Sequence, residues 1–282
     1  MDDLDWGWRY LMCPPTHFAV TYEINPWMHV DRPVDLERAH EQWHTLVATL
    51  RTAGAEVELL DPVAGLPDLV FTANAGIVAG DVFVPARFRD RERQPETPQG
   101  VSWFAGRGWR VSPLPIGAVQ EGSGDALPVG DRLVVGHGPR SSRQGAERAA
   151  AQAGFVAEPV ELVDARLYHL DLGLCPLGEG RALLAPDAFS SRSRRRLRTL
   201  VPRALVLELD DALSFCANSI VVGHTVVMPA CPARVGRQLE QWGFDPVVVD
   251  VGEFEKAGGA CRCLTLALDV PSPVAARRTV AA

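Results

Sequence analysis

A thiol, an imidazole and several carboxylates are the side chains in this sequence whose types can do chemistry. A thiolate attacks carbon, an imidazole moves protons, and carboxylates accept charge-assisted hydrogen bonds. Cys263 closes the stretch Gly258-Gly259-Ala260-Cys261-Arg262-Cys263 and opens the alternation Leu264, Leu266, Leu268. Two glycines permit a tight turn and close approach to a ligand, and the alternation reads as a strand over 263–269. The thiol therefore sits on a turn at the mouth of a strand, where it is either a nucleophile or a packing cysteine. The other candidates are Asp68 and Asn74, Glu121 and Asp125 in Glu-Gly-Ser-Gly-Asp, His169 and Asp171 in His-Leu-Asp, and Asn218.

The elements that must position these residues form a repeat. An apolar run, a tight turn carrying glycine and a second apolar run recur around Gly80-Asp81, Gly130-Asp131, Gly178-Glu179-Gly180 and Gly223-His224. The period of about 45–50 residues suits a supersecondary repeat, and Gly-Asp between apolar runs is a hairpin signal. Helices are expected over 144–154, 190–200 and 233–243, each leading into a third strand (155–162, 204–209, 246–251). A long amphipathic helix over 36–54 and a strand over 56–60 look like the tail of a unit that opens with 263–269 at the other end of the chain. That closure predicts a pseudo-five-fold ring of ββαβ units in a single α/β domain over 1–282, with 1–5 and 271–282 frayed. The run 87–100, rich in Arg, Glu, Gln and Pro, reads as a solvated loop or a mobile flap. Arg143 and Arg262 read as surface or packing charges.

Each candidate precedes or sits at the first strand of its unit: Asp68 and Asn74 in the first, Glu121 and Asp125 in the second, His169 and Asp171 in the third, Asn218 in the fourth, Cys263 in the fifth. Arranged about an axis, they would converge on one polar pocket. Each also has a structural role to offer. Pro67-Asp68 is a common turn pair, the asparagines can satisfy loop backbone, residues 121–125 can be a flexible connection, and a lone histidine is more often a core residue than a catalyst. His-x-Asp is half a metal site with no third ligand at suitable spacing. Singly, the structural roles are at least as good; jointly, a thiol, an imidazole and carboxylates in phase with the repeat are hard to explain as turns.

Composition bounds the rest. The chain has 282 residues, 47% of them hydrophobic, and a net charge of −7, which supports a substantial core and argues against nucleic acid as a main partner. No apolar run approaches a membrane span, and the acidic start Met1-Asp2-Asp3-Leu4-Asp5 is unlike a secretory signal; a cytoplasmic protein is expected. Six cysteines in a chain with this much core predict free thiols rather than disulfides. Cys261 and Cys263 have the wrong spacing for a structural zinc knuckle.

Phe71-Thr72-Ala73-Asn74, the Glu-Gly-x-Gly-Asp at 121–125, Gly138-Pro139-Arg140-Ser141-Ser142, His169-x-Asp171 and Gly-Gly-x-x-x-Cys263 resemble the guanidine-modifying superfamily of arginine deiminases, dimethylarginine dimethylaminohydrolases and amidinotransferases. The resemblance runs from Leu11 to Asp269. Met12-Cys13-Pro14-Pro15 and Ile24-Asn25-Pro26-Trp27-Met28 are similar to the arginine dihydrolase-like branch. It implies a five-bladed α/β propeller and metal-independent, cofactor-free hydrolysis of the guanidino group of arginine or an N-methylated arginine through a covalent thiouronium. Cys263, His169 and Glu121 are then the catalytic set: nucleophile, general acid then base, and a carboxylate that, with Asp171 and Asp68, grips guanidinium N–H groups. Arg140 is expected on the substrate α-carboxylate, Arg93 to help from the flap, and Asn74, Asn25 and Asn218 to bind substrate. Asn74 departs from the aspartate of deiminases and dimethylaminohydrolases, which leaves the product open: citrulline, or ornithine through a second hydrolysis. Amidinotransfer and a non-catalytic binding protein, as in the similar fold of the ribosomal anti-association factor, are the other readings. The expected partner is a small guanidino substrate, without nucleic acid or membrane; a homodimer is compatible with it.

Overall fold

The computed structural model describes residues 4–273. The outer parts of both expected frayed tails lie outside the described residues. Fifteen strands form five three-stranded sheets. The fifth sheet begins with the N-terminal strand β1 (Arg9–Met12), followed by α1 (Leu36–Thr52) and β2 (Glu56–Leu59). The first full unit is β3 (Gly76–Ala79), β4 (Val82–Pro85), α2 (Thr97–Ala105) and β5 (Arg110–Val111). The second is β6 (Ala126–Val129), β7 (Arg132–His137), α3 (Arg143–Gln152) and β8 (Val156–Glu161). The third is β9 (Leu174–Gly178), β10 (Arg181–Leu184), α4 (Ser191–Leu200) and β11 (Leu205–Val206). A short α5 (Leu209–Leu213) leads to β12 (Ile220–Val222), β13 (Thr225–Met228), α6 (Ala233–Gln241) and β14 (Asp245–Val248); α7 (Gly252–Glu255) and β15 (Leu266–Ala267) follow.

In every unit the first strand pairs antiparallel with the second, and the second pairs parallel with the third across the helix. β15 takes the first place in the fifth sheet, antiparallel to β1, which is parallel to β2. The two ends of the chain thus build one unit, as the sequence suggests. The hairpins form because glycine opens them at positive φ: +59° at Gly80 and Gly130, +55° at Gly223, the first central position of a type II′ turn. The third turn is longer, with Gly178, Glu179 and Gly180 all at positive φ and a register shift after it.

α1 shows why the units hold together. Asp35 caps it by accepting from Arg38 N, and Ala39, Trp43, Leu46, Val47 and Leu50 recur on one buried face. The expected flap at 87–100 is not a solvated loop. Its second half enters α2, the missing helix of the first unit, and Phe104 stacks on Phe83 of β4 at 3.8 Å between centroids. Pro98 at the start of α2 fits the first helical turn, and Trp103 and Phe104 supply the apolar face that the surrounding charges obscure. The strand expected over 263–269 shortens to β15, and Cys261 and Cys263 lie on the turn before it rather than alternating along a strand.

Hydrogen bonds join the opening turn of each unit to the next. Asn74 donates to Glu121 O (2.8 Å), Leu170 N to Asp125 (3.0 Å), Asn218 to Asp171 O (3.4 Å), Arg262 N to Asn218 O (3.1 Å), and Ala73 N to Cys263 O (3.1 Å). The contacts run through all five units and return to the first. Leu46→Ala should lower stability by about 2–5 kcal/mol, because Leu46 is fully buried in the unit that unites both chain ends. Denaturant unfolding should show a lower midpoint with an unchanged slope; an unchanged midpoint would mean that α1 does not hold that unit.

Candidate active site

The turn carrying Cys263 depends on both glycines before it. Gly258 has φ +84°, and a Cβ there would stand 2.8 Å from the Tyr168 hydroxyl and 2.9 Å from Asn25 Oδ1. A Cβ on Gly259 would overlap the Phe71 ring. One helical turn then closes from Leu264 N to Ala260 O (3.3 Å), leaving Cys263 buried at the wall of a cavity. Asn218 wraps this turn. Its Oδ1 accepts from Arg262 N (3.1 Å) and Cys263 N (3.2 Å), and its Nδ2 lies 3.2 Å from the Cys263 sulfur. Asp171 Oδ2 is 3.5 Å from the same sulfur. Asn218, expected on the substrate, holds the Cys263 turn instead.

The electrostatics follow from this packing. Burial pushes the Cys263 thiol well up, the Asp171 carboxylate pushes it further, and Asn218 opposes both. Burial likewise takes Asp171 up to about 6, against the pull of His169 and Arg262. Thiolate and carboxylate therefore disfavour each other's charge until a cation joins them. Asp171 Oδ1 and Asp68 Oδ1 are buried acceptors without a hydrogen-bond partner among the described residues. Two such oxygens are ready for N–H donors.

His169 belongs to a second cluster. Its Nε2 lies 2.9 Å from Glu121 Oε2, which also accepts from Arg140 Nε at 2.9 Å; Glu121 Oε1 accepts from Arg89 N at 3.1 Å. Burial works against the charge on Glu121, but Arg140, His169 and Arg93 outweigh it and hold the carboxyl down at about 2. The glycines of the 121–125 motif are explained here. A Cβ on Gly122 would lie 2.5 Å from Ala73 O, and one on Gly124 would lie 2.6 Å from Asn74 Nδ2. Asp125, fully buried, accepts from Ser141 and from Leu170 N and so positions the segment carrying His169. No hydrogen bond joins His169 to Cys263; Asp171 senses the charge of both.

Two arginines close the site. Arg93 is buried and bonded to Glu96 through both Nε (2.9 Å) and Nη2 (2.8 Å), and its Nη1 donates to Asn74 Oδ1 at 3.0 Å. Arg140 reaches from Glu121 to Ile24 O at 3.2 Å, so its guanidinium stands on a carboxylate of the protein. Asn25 Nδ2 is held by Ala257 O at 3.0 Å. The cavity that Asn25, Asp68, Asn74, Arg93, Arg140 and Cys263 line in this closed arrangement is about 10 Å³, room for about one water. Sequence reading missed Tyr22, whose hydroxyl donates to Asp68 at 2.9 Å, and Tyr168, whose hydroxyl donates to Gly258 O at 2.7 Å. It also missed Glu96, the anchor of Arg93. None carries a local motif; Tyr22 and Tyr168 find their partners through the fold, and Glu96 is three residues from Arg93 but buried with it. Among the described residues no group of three or more His, Cys, Asp or Glu side chains is arranged to hold a metal ion.

A family model described as eukaryotic N,N dimethylarginine dimethylhydrolase matches residues 17–269. The chain belongs to that family. It is 42% identical to the N(G),N(G)-dimethylarginine dimethylaminohydrolase of Mycobacterium tuberculosis, over 92% of this chain and 85% of the relative. It is 40% identical to the bifunctional arginine dihydrolase/ornithine cyclodeaminase AgrE of a Nostoc species, over 93% of this chain but only 38% of that protein. Among solved structures, the N-terminal domain of the cyanobacterial arginine dihydrolase ArgZ, bound to substrate, superposes with a TM-score of 0.90 at 38% identity, covering 93% of this chain and 98% of that one. A dimethylarginine dimethylaminohydrolase adduct at 22% identity and TM-score 0.76 shares the fold.

The raised Asp171 generates a pH prediction. Its folded-state value is about 6 against 3.8 for the free side chain, so the folded protein binds this proton more tightly than the unfolded chain. The stability linked to that proton is fully present below pH about 4 and lost as pH rises to about 6, by on the order of 3 kcal/mol. Asp171→Asn should remove this component, so that the stability of the parent relative to the variant falls across pH 4–6 in denaturant titrations. A difference that is flat with pH would refute the strained carboxylate.

Proposed function

We propose that the protein hydrolyses the guanidino group of arginine or of an N-methylated arginine, with Cys263 as nucleophile. The observation that carries this is the buried Cys263 thiol beside Asp171 and in the wall of the cavity that Asp68 also lines, each carboxylate with one partnerless oxygen. A guanidinium brings N–H donors for those oxygens and the positive charge that lets the thiol ionise, its proton passing to His169. The thiolate then attacks the guanidinium carbon. His169, oriented by Glu121, protonates the departing ammonia or methylamine, leaving a thiouronium on Cys263. The same imidazole next takes a proton from water as it adds to the thiouronium carbon; the C–S bond breaks and a ureido product leaves. The named relatives are hydrolases, which favours water over an amine as the second nucleophile. Arg140 would exchange Glu121 for the α-carboxylate of the substrate, a bidentate task suited to a guanidinium, and opening would move the segments that hold Arg140 and Arg93.

Asn74 favours a second reading, that the enzyme continues to ornithine. Its amide is oriented by the protein: Oδ1 accepts from Arg93 and Nδ2 donates to Glu121 O. It presents a neutral wall where a carboxylate would repel the ureido oxygen of citrulline. A second attack at the ureido carbon, with a second water, would release ammonia and carbon dioxide and leave ornithine. We further read the five sheets as blades of a closed five-bladed α/β propeller in one domain, supported by the hydrogen bonds that return from the fifth unit to the first. Six free cysteines suit a reducing, cytoplasmic setting.

Cys263→Ser should abolish turnover of arginine and of methylarginines while leaving ligand binding and folding intact, and His169→Ala should lose about 10²–10⁴-fold in rate. Substantial activity in the serine variant, or loss confined to Cys261→Ser, would remove Cys263 from its role. Product analysis with arginine separates the two endpoints. Ornithine from the parent, shifting to citrulline in Asn74→Asp, would support the dihydrolase reading; citrulline as the sole product of the parent would end it.

A further inference from the structure

Of the two readings of Arg262, surface or packing charge, the structure leaves only the second. It is 7% exposed, and its guanidinium has no hydrogen-bond or ion-pair partner among the described residues. Its guanidinium packs on the Trp6 ring, 5.5 Å from the guanidinium carbon to the ring centroid. An arginine cannot shed its proton in a protein, and a mostly buried charge without a counter-charge is unfavourable unless something at the cavity it faces balances it. The carboxylates in its surroundings do not neutralise it directly. Asp171 feels its charge but has no hydrogen bond to it, and the oxygens of Asp269 accept from the backbone N–H groups of Gly7 and Trp8.

The side chain lines a second cavity, separate from the one that Cys263 lines. Trp6, Tyr10, Ser123, Ala126 and Thr265 share it. Its hydroxyls are spent as donors: Ser123 donates to Gly76 O, Thr265 to Arg262 O and Tyr10 to Val221 O. The indole N–H of Trp6 has no acceptor among the described residues. The unsatisfied groups at this cavity are therefore cationic or N–H donors, and what they lack is an anion. The cavity is about 10 Å³, which admits one body of about the size of a water and excludes phosphate, nucleotides and carboxylate metabolites.

We propose that this cavity, beneath the turn that carries the nucleophile, is a binding site for a small monatomic anion of halide size, held by Arg262. The anion neutralises the guanidinium where no carboxylate of the chain reaches it. The site is independent of the reaction assigned to Cys263, and its test does not use activity.

Crystals of the full chain soaked in bromide should show an anomalous peak within hydrogen-bond reach of the Arg262 guanidinium. In parallel, chloride should raise the melting temperature of the parent a few degrees above that in gluconate at matched ionic strength, and Arg262→Met should abolish the difference. No bromide peak at this position, with water in its place, would overturn the proposal, as would a chloride increment that persists in Arg262→Met. If that variant does not fold, the bromide map decides alone.

Discussion

The concentration of buried carboxylates where the five opening turns meet is the constraint on which the rest depends. Asp68, Glu96, Glu121, Asp125 and Asp171 are all buried there, and so much like charge in a low-dielectric interior is tolerated only with cations and donors among it. The chain supplies Arg93 to Glu96 and Asn74, Arg140 to Glu121, Ser141 to Asp125 and Tyr22 to Asp68. The partition is uneven. Glu121, with Arg140 and His169 against it, is held at about 2, whereas burial takes Asp171, beside a thiol, to about 6. Two carboxylates in one site thus have opposite characters, the pattern by which a fold separates a permanent anion from a group whose charge depends on what is bound. Where the chain stops short of full satisfaction, at Asp68 Oδ1 and Asp171 Oδ1, it leaves places that a planar N–H donor can fill.

That constraint also explains the backbone. Four carboxylates and a thiol can approach one another only if the turns that carry them have no side chains in the way. Gly122 and Gly124 let the second turn lie against the first, and Gly258 and Gly259 let the fifth lie against Tyr168 and Phe71. Asn74 and Asn218 then do what a charged residue could not. Each uses one amide to bridge neighbouring units, donating and accepting at once. The glycines belong to the same design as the polar side chains, since a methyl group at any of these positions would push against Asn74, Tyr168, Asn25 or Phe71.

Much of this was legible in the sequence because it is periodic. The hairpin glycines at 80, 130 and 223 mark units through a local requirement for positive φ, and a polar or thiol residue stands shortly before the first strand of every unit. Helix α2 was hidden because Arg91, Glu92, Arg93 and Glu96 surround its start, and only the fold reveals that Arg93 and Glu96 neutralise one another in the interior. Tyr22 on Asp68 and Tyr168 on Gly258 O link residues 46 and 90 positions apart, beyond any local pattern. The cavity at Arg262 was hidden for a related reason. Between two cysteines on a turn, nothing local says that its neighbour Cys263 faces one cavity while it faces another.

The state of the thiol joins specificity to reactivity. Burial and Asp171 push the Cys263 thiol well up, against Asn218, so its thiolate is disfavoured while no cation is bound. A bound guanidinium reverses the balance, because a positive charge a few ångströms from sulfur in a dry site outweighs the repulsion from one carboxylate. In the proposed reaction, recognition of the cation and activation of Cys263 are then one event, and a cationic substrate is selected at the chemical step as well as in binding. A neutral ureido group cannot switch the site on in this way. Any second hydrolysis must draw its thiolate from the first, before the proton returns to sulfur, with the ureido carbon still against Cys263. A closed cavity that holds the intermediate in place, and a neutral Asn74 that does not repel the new oxygen, are what such a continuation requires.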